Sequence, residues 1–571
     1  MSGESADDRR GDAARRLALS RVLRPYLMTT LAFSLVANIL LLVSPVYMLQ
    51  IYDRVVTSGS YDALIWLSVI AIFLLGVYAA ADAGRRRTLA LAGQAFETHT
   101  SRLIFAAFEN RTGDGASLER DLGRMRRVNA MFSGGALLPF IDLPFTPLFL
   151  ACLFLIHPLL GLIGLGGGAL ILALAVLAEF STRDSGKLAG AFDNASNDFA
   201  SGLSRQRSAI VAMGLREPAF ERWRLLRDKA AASALAAGKG DNLFTALSRA
   251  SRQSLQIAVL GAGAALALSQ SISLGAIVAG SIIMARALGP IDQIVGGWRR
   301  AVQAREAYVG LNASLADHVA GEGEPFTPLP RPEAKLVLRR LAVAPPGADE
   351  PLVRPFTFEA DGGDVLALMG ENGSGKTSLL QTLAGAWSPH DGVVELDGRA
   401  LHSWRSADRG RYIGYVPQDV EILPGTVRDN IARFSDADDE AVFAAARKAA
   451  AHAMVMALPD GYDTLVGPGG RPLSAGQKQL LGLARALFGD PVLLLLDEPT
   501  ANLDTAAVKH FLEAVEQAAH AGAIVLASTH DPRFLSYAKT VLLIRSGSVV
   551  AADAARYLKS ANVDRSQERT G

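Results

Sequence analysis

The run Gly370-Glu371-Asn372-Gly373-Ser374-Gly375-Lys376-Thr377-Ser378 decides how this chain is read. The apolar stretch Val365–Met369 before it reads as a strand, and a helix is expected to begin near Lys376. Glycines in such a turn let backbone N–H groups approach an anion and cradle phosphates. Lys376 then supplies charge to β- and γ-phosphate oxygens, and the Thr377 hydroxyl fits the shell of a Mg²⁺ ion. The positive end of the following helix points at the same anion.

Working outward, further segments follow in a fixed order. Val492–Leu496 is an uninterrupted apolar run, as a strand buried on both faces requires. Asp497 at its end is placed to serve Mg²⁺, and Glu498 to polarise an attacking water. Gln418, after the run Tyr412–Val416, is expected to reach the Mg²⁺ or that water. His530 ends the apolar run Ile524–Ser528, where an imidazole can contact a γ-phosphate. In Leu473-Ser474-Ala475-Gly476-Gln477 the serine and the glutamine three residues later form a capping box. That helix start, backed by Gly476, offers N–H donors and a dipole to a phosphate. It belongs to a separate helical insert, Gly425 to Asp490, and is expected to serve the nucleotide of a second copy. Asp504 completes the set. Together these segments predict two copies closing around ATP, on an α/β domain with a largely parallel sheet.

The N-terminal half is of another kind. Half of the 571 residues are hydrophobic and the mean hydropathy is positive although 20% are charged. The excess lies in the first 300 residues and includes six stretches long enough to cross about 30 Å of hydrocarbon. They are Met28–Gln50, Asp62–Gly84, Gly135–Ile156, Pro158–Phe180, Ser254–Ile272 and Leu274–Val295. Stretches three and four meet at His157-Pro158, and five and six near Ser269-Gln270-Ser271, as tight hairpins. Arg and Lys crowd the N-terminus and the connections Arg85–Arg127 and Arg183–Arg252, which the positive-inside bias places in the cytoplasm. Leu89–Asn110 and Ala191–Leu235 read as helices extending below the bilayer. Asp142 lies among Pro139, Pro144 and Pro147, where the helix must break. It either faces a polar pathway or satisfies backbone groups freed by the prolines. For Tyr52-Asp53-Arg54, an interfacial aromatic and a local ion pair suffice.

Residues 1–24 are expected to be a disordered cytoplasmic segment without a cleaved signal peptide. The spanning domain covers 25–320, a Pro/Gly/Glu-rich linker 321–334, the nucleotide domain 335–558 and a polar tail 559–571. A net charge of +1 gives no basic field for nucleic acid. The single cysteine, Cys152, rules out an intrachain disulfide and reads as packing.

These motifs in this order resemble the ATP-binding cassette transporters, and six spans before one cassette resemble exporter half-transporters. Ser44-Pro-Val-Tyr-Met-Leu-Gln-Ile-Tyr-Asp-Arg-Val-Val-Thr-Ser58, Pro139-Phe-Ile-Asp-Leu-Pro-Phe-Thr-Pro147, Arg286-Ala-Leu-Gly-Pro-Ile-Asp-Gln293 with Gly296-Gly-Trp-Arg299, and Val343-Ala-Pro-Pro-Gly347 narrow this further. They resemble the type I secretion permease/ATPases that export proteases, lipases and repeat-rich calcium-binding proteins. The resemblance implies a homodimer in the bacterial inner membrane, with its ATPase domain in the cytoplasm. A periplasmic membrane-fusion adaptor and an outer-membrane channel would be its partners, and an unfolded polypeptide with a C-terminal signal its substrate. By position, Gly370 to Ser378 would bind phosphate, Gln418 would couple, Asp497 would serve Mg²⁺, Glu498 would be the base and His530 the switch.

Three departures stand out. Pro345 falls where cassettes carry an adenine-stacking aromatic, Ala475 replaces a frequent glycine, and Pro468-Gly469 stand where exporters often carry an acidic residue. So few residues precede the first span that no N-terminal peptidase-like domain is expected.

Overall fold

The computed structural model describes residues 6–110, 116–315 and 330–559. The chain divides into two units. One holds residues 1–108 and 115–322, the other 109–114 and 323–571.

The N-terminal unit is helical. Among the described residues, five helical stretches are long and apolar enough to cross a membrane: Val22–Ser58, Tyr61–Phe108, Leu138–Ile156, Pro158–Ala178 and Leu274–Leu315. The fifth predicted span, Ser254–Ile272, is the end of the helix Arg216–Leu268. Gln253 and Gln256 beside Arg252 dilute its hydropathy. The cost is relieved where Gln256 Nε2 donates to Ser281 Oγ on the next helix at 3.3 Å. The expected extensions beyond the bilayer are continuous with the spans, as in the helices Tyr61–Asn110 and Pro158–Arg205. Around His157 the chain turns in extended conformation, and its Nδ1 accepts from Leu159 N at 3.1 Å to start the next helix.

The structure corrects three expectations here. The helix Ala6–Leu40 begins inside the segment expected to be disordered, in a stretch rich in Ala, Leu and Arg, good helix formers. Asp142 ends the short helix Leu138–Asp142 before a 3₁₀ turn, Leu143–Phe145, so the helix does break at the prolines. Among the described residues, however, its carboxylate takes no hydrogen bond from the backbone. It accepts both Arg85 Nη1 contacts at 2.9 Å and Asn38 Nδ2 at 2.8 Å, tying three spans together. Asp53 makes no ion pair with Arg54 among the described residues. It sits in a π-helical turn, Ile51–Val55, and accepts from Ser273 Oγ at 2.5 Å and Gly275 N at 2.9 Å. It thereby caps the last span. Gly275 is needed there, because a Cβ would lie 2.7 Å from Asp53 Oδ1 and 2.8 Å from Leu49 O.

The C-terminal unit has twelve strands among the described residues. β1 (Lys335–Val343), β2 (Val353–Asp361), β4 (Asp391–Leu396) and β5 (Arg399–Ala400) form an antiparallel sheet in the order β2-β1-β4-β5. The second sheet contains β3 (Val365–Gly370), β6 (Ile413–Val416), β9 (Leu493–Asp497), β10 (Ile524–Ser528), β11 (Thr540–Arg545) and β12 (Ser548–Asp553). Its order is β12-β11-β3-β10-β9-β6, parallel throughout except for the β11–β12 hairpin. A short pair, β7 (Gly425–Thr426) and β8 (Leu465–Val466), opens and crosses the helical insert.

The six-stranded sheet is covered on both faces, which is why its strands are apolar without alternation. Leu494 and Leu496 of β9 enter one core with Ala367, Val525 and Phe511. Leu493 and Leu495 enter the other with Leu366, Leu368, Leu379 and Leu383. Each such leucine contributes about 1.5–3 kcal/mol on burial. The carboxyl edge of the sheet is therefore held by packing on two sides.

Candidate functional site

That edge gathers the predicted residues. In open parallel sheets ligands bind outside the carboxyl ends of the strands. The phosphate loop leaves β3 at Gly370. Gln418 lies just past β6, Asp497 and Glu498 at the end of β9, and Thr529 and His530 just past β10. These four strands are adjacent, with Ser528 in register with both Leu368 and Asp497.

In the loop, Gly373 and Gly375 have φ of 79° and 101°, conformations open to glycine. At Gly370 a Cβ would lie 2.6 Å from Ser374 Oγ and 2.9 Å from Ile544 O. Gly375 precedes the helix Lys376–Leu383, whose first residue turns back over the loop. Lys376 Nζ donates to Gly370 O at 2.8 Å and to Glu371 O at 3.1 Å. Ser374 Oγ is buried with no partner among the described residues. A buried hydroxyl without a partner beside a curled loop and an ammonium suits an oxyanion.

The second cluster centres on a buried serine. Ser528 Oγ donates to Asp497 Oδ1 at 2.6 Å and accepts from Glu498 N at 3.1 Å. Glu498 N also donates to Ser528 O at 3.1 Å. Glu498 has φ of 45°, left-handed for a residue with a Cβ, and strain of this kind costs about 1–3 kcal/mol. The two bonds its N–H donates to Ser528 hold it there. Its Oε2 accepts from Gln418 Nε2 at 3.0 Å. Asp497 is 1% exposed, and its Oδ2 has no partner among the described residues. Tyr415 lies near it, and burial first and the Asp497 charge second push its hydroxyl pKa up to about 12.

A buried carboxylate oxygen without a donor fits a cation. Among the described residues no three His, Cys, Asp or Glu side chains gather to hold a metal by themselves. Mg²⁺ is commonly bound through one or two protein groups plus phosphates. His530 is exposed and makes no hydrogen bond among the described residues.

Ser474 Oγ accepts from Gln477 N at 3.2 Å while Gln477 Oε1 accepts from Ser474 N at 2.9 Å, so the capping box forms. A Cβ at Gly476 would lie 3.1 Å from Asn502 O, so this helix start adjoins the loop leading to Asp504. Asp504 caps the helix Thr505–His520, accepting from Ala507 N at 2.7 Å. At the other end of the helix Ala475–Leu487, Arg433 donates to the carbonyls of Arg485 and Ala486 and to Gly410 O. Burial lowers its pKa to about 10. Sequence reasoning passed over Ser528 and Arg433. The only signal for Ser528 was a hydroxyl closing an otherwise apolar strand. Nothing marked Arg433, since its partners are backbone carbonyls.

The pattern of the family described as ABC transporter matches residues 353–501, and an AAA-domain pattern overlaps it at 470–536. The type I secretion system ATP-binding protein PrsD of Rhizobium meliloti is 36% identical over 91% of this chain and 89% of its own. This chain belongs to the type I secretion ABC transporters. The toxin RTX-I translocation ATP-binding protein of Actinobacillus pleuropneumoniae is 26% identical over 92% of this chain and 75% of its own. A bacterial Atm1-family ABC exporter with ATP bound superposes with a TM-score of 0.80 at 19% identity, covering 95% of this chain and 97% of that one. Six-span exporter architecture followed by an α/β cassette is thus the fold of this transporter. Like other members it is membrane-bound, binds nucleotide and couples ATP hydrolysis to transport.

Proposed function

We propose that this transporter exports an unfolded polypeptide, bearing a C-terminal signal, across the bacterial inner membrane. It would act as a homodimer with a periplasmic membrane-fusion adaptor and an outer-membrane channel. The relatives named for type I secretion and for RTX-I toxin translocation support that cargo class and those partners.

The observation that carries the catalytic part is the convergence of four adjacent strand ends on one edge. Gly370 to Ser378 bind the phosphates through loop N–H groups, the Ser374 hydroxyl and Lys376. On binding, Lys376 exchanges its two carbonyl partners for phosphate oxygens. Thr377, Asp497 and Gln418 would hold Mg²⁺, which supplies charge neutralisation to the phosphates. Glu498, aimed by Ser528 and Gln418, accepts a proton from the attacking water, and His530 contacts the γ-phosphate. Ser474, Gly476, Gln477 and Asp504 complete the site of the second copy, whose N–H groups and helix dipole meet a phosphate. Pre-aimed donors at the developing charge supply most of the rate.

The test uses purified chain reconstituted in lipid. Phosphate release stimulated by an unfolded secreted polypeptide supports the reading. Stimulation only by lipids or hydrophobic compounds assigns a different cargo, and nucleotide binding without phosphate release overturns the catalytic part.

A further inference from the structure

Most charged groups around the spans are satisfied within the N-terminal unit. Asp142 holds Arg85 and Asn38, Asp53 holds Ser273, and Asp292 Oδ1 accepts from Ser248 Oγ at 2.9 Å. Arg286 differs. It is exposed, and among the described residues it has neither a hydrogen bond nor an ion pair. It stands twelve residues beyond Leu274, the first residue of its helix (286 − 274). At 1.5 Å per residue that is about 18 Å along the axis, inside a hydrocarbon layer of about 30 Å.

The residues around it form a face. Steps of three and four along the helix Leu274–Leu315 lead from Arg286 to Gly289, Gln293, Gly296 and Arg300. Gln293, Gly296 and Arg300 are exposed, and a Cβ at Gly289 or Gly296 would meet nothing within 4 Å. The other side is packed, with Ala287, Leu288, Ile294 and Val295 all buried. An unpaired guanidinium among glycines is costly against acyl chains, and such groups in spans mark paths for charged cargo. Pro290 adds a second polar feature. It has no N–H to give the carbonyl of Arg286 four residues earlier. A donor-rich side chain and an under-used acceptor then lie together, beside open space left by glycines. An extended polypeptide presents N–H groups and carboxylates to match both.

We propose that this face lines the export path and that Arg286 contacts acidic side chains of the polypeptide passing it. The inference rests on the polypeptide-export reading and adds a preference for carboxylate-bearing stretches. Arg286 acts by charge, and the glycines provide clearance for a backbone alongside.

The full-length chain in nanodiscs tests this, with Cys152→Ser and Gln293→Cys placing one thiol on the face. A charged, water-soluble maleimide should label it. An unstructured glutamate-rich peptide should slow labelling by about tenfold, as loss of a charged hydrogen bond implies, and a lysine-rich peptide of equal length should not. Arg286→Glu should abolish that protection and leave basal phosphate release unchanged, while Arg286→Lys should keep part of it. Labelling only by a lipid-soluble maleimide would put the face against acyl chains and overturn the proposal. Equal protection by anionic lipid alone, or undiminished protection in Arg286→Glu, would also overturn it. Failure of polypeptide export itself reads out separately, as unstimulated phosphate release by the unaltered chain.

Discussion

Glu498 Oε2 lies 3.0 Å from Gln418 Nε2, so the carboxylate at the end of β9 is held by the side chain just past β6. The bond orients the carboxylate we propose as general base, whose backbone is already held in a left-handed conformation. Gln418→Ala frees the carboxylate to swing. Turnover is expected to fall about tenfold to a hundredfold, less than the roughly hundredfold to ten-thousandfold that the positioned base itself contributes, with ATP binding much less affected. Phosphate-release kinetics with a parallel nucleotide-binding titration separate the two effects.

Ser528 holds both acidic neighbours at once, through Asp497 Oδ1 and Glu498 N. Ser528→Ala removes the donor from a carboxylate that already has one unpartnered oxygen. A buried acceptor left unmade costs about 1–3 kcal/mol. The variant should melt at lower temperature and need more Mg²⁺ for half-maximal phosphate release. A Mg²⁺ titration unchanged from the native chain would remove Ser528 from the metal-facing network.

Much of the nucleotide site was legible because its chemistry is local in sequence. The phosphate loop, the capping box at Ser474 and the unbroken apolar run of β9 each carry their own signature, and the structure brings the strand ends together as that pattern implied. What escaped notice depends on partners distant in the chain. The antiparallel sheet was only partly visible, because β2 alternates polar and apolar residues around Pro355 and pairs with β1 through bulges. Asp53 looked like an interfacial charge next to Arg54, yet its partners lie some 220 residues onward at Ser273 and Gly275. The fifth span was legible from its apolar run, but the partner that satisfies Gln256 within it, Ser281 on the next helix, was not. The linker 321–334 lies largely, and the tail 559–571 almost entirely, outside the described residues.

The Arg85–Asp142 pair makes a contrasting prediction for the spanning unit. Both side chains are largely buried, and Arg85 also reaches Asp82. Breaking a buried pair by removing one partner costs about 3–5 kcal/mol, whereas replacing both by apolar groups is often neutral. Asp142→Leu should therefore lower the melting temperature in detergent far more than the Arg85→Met/Asp142→Leu double variant does. If the two fall equally, Asp142 has another partner that matters more than Arg85.

Closure of two cassettes around shared nucleotide, opened again by hydrolysis, is the central claim, and the Glu498→Gln chain in lipid tests it most directly. With Mg²⁺ and ATP present it should be captured as a pair of chains holding uncleaved ATP, while the native chain releases phosphate. A Glu498→Gln chain that stays single under those conditions, or hydrolyses ATP at the native rate, would contradict the account.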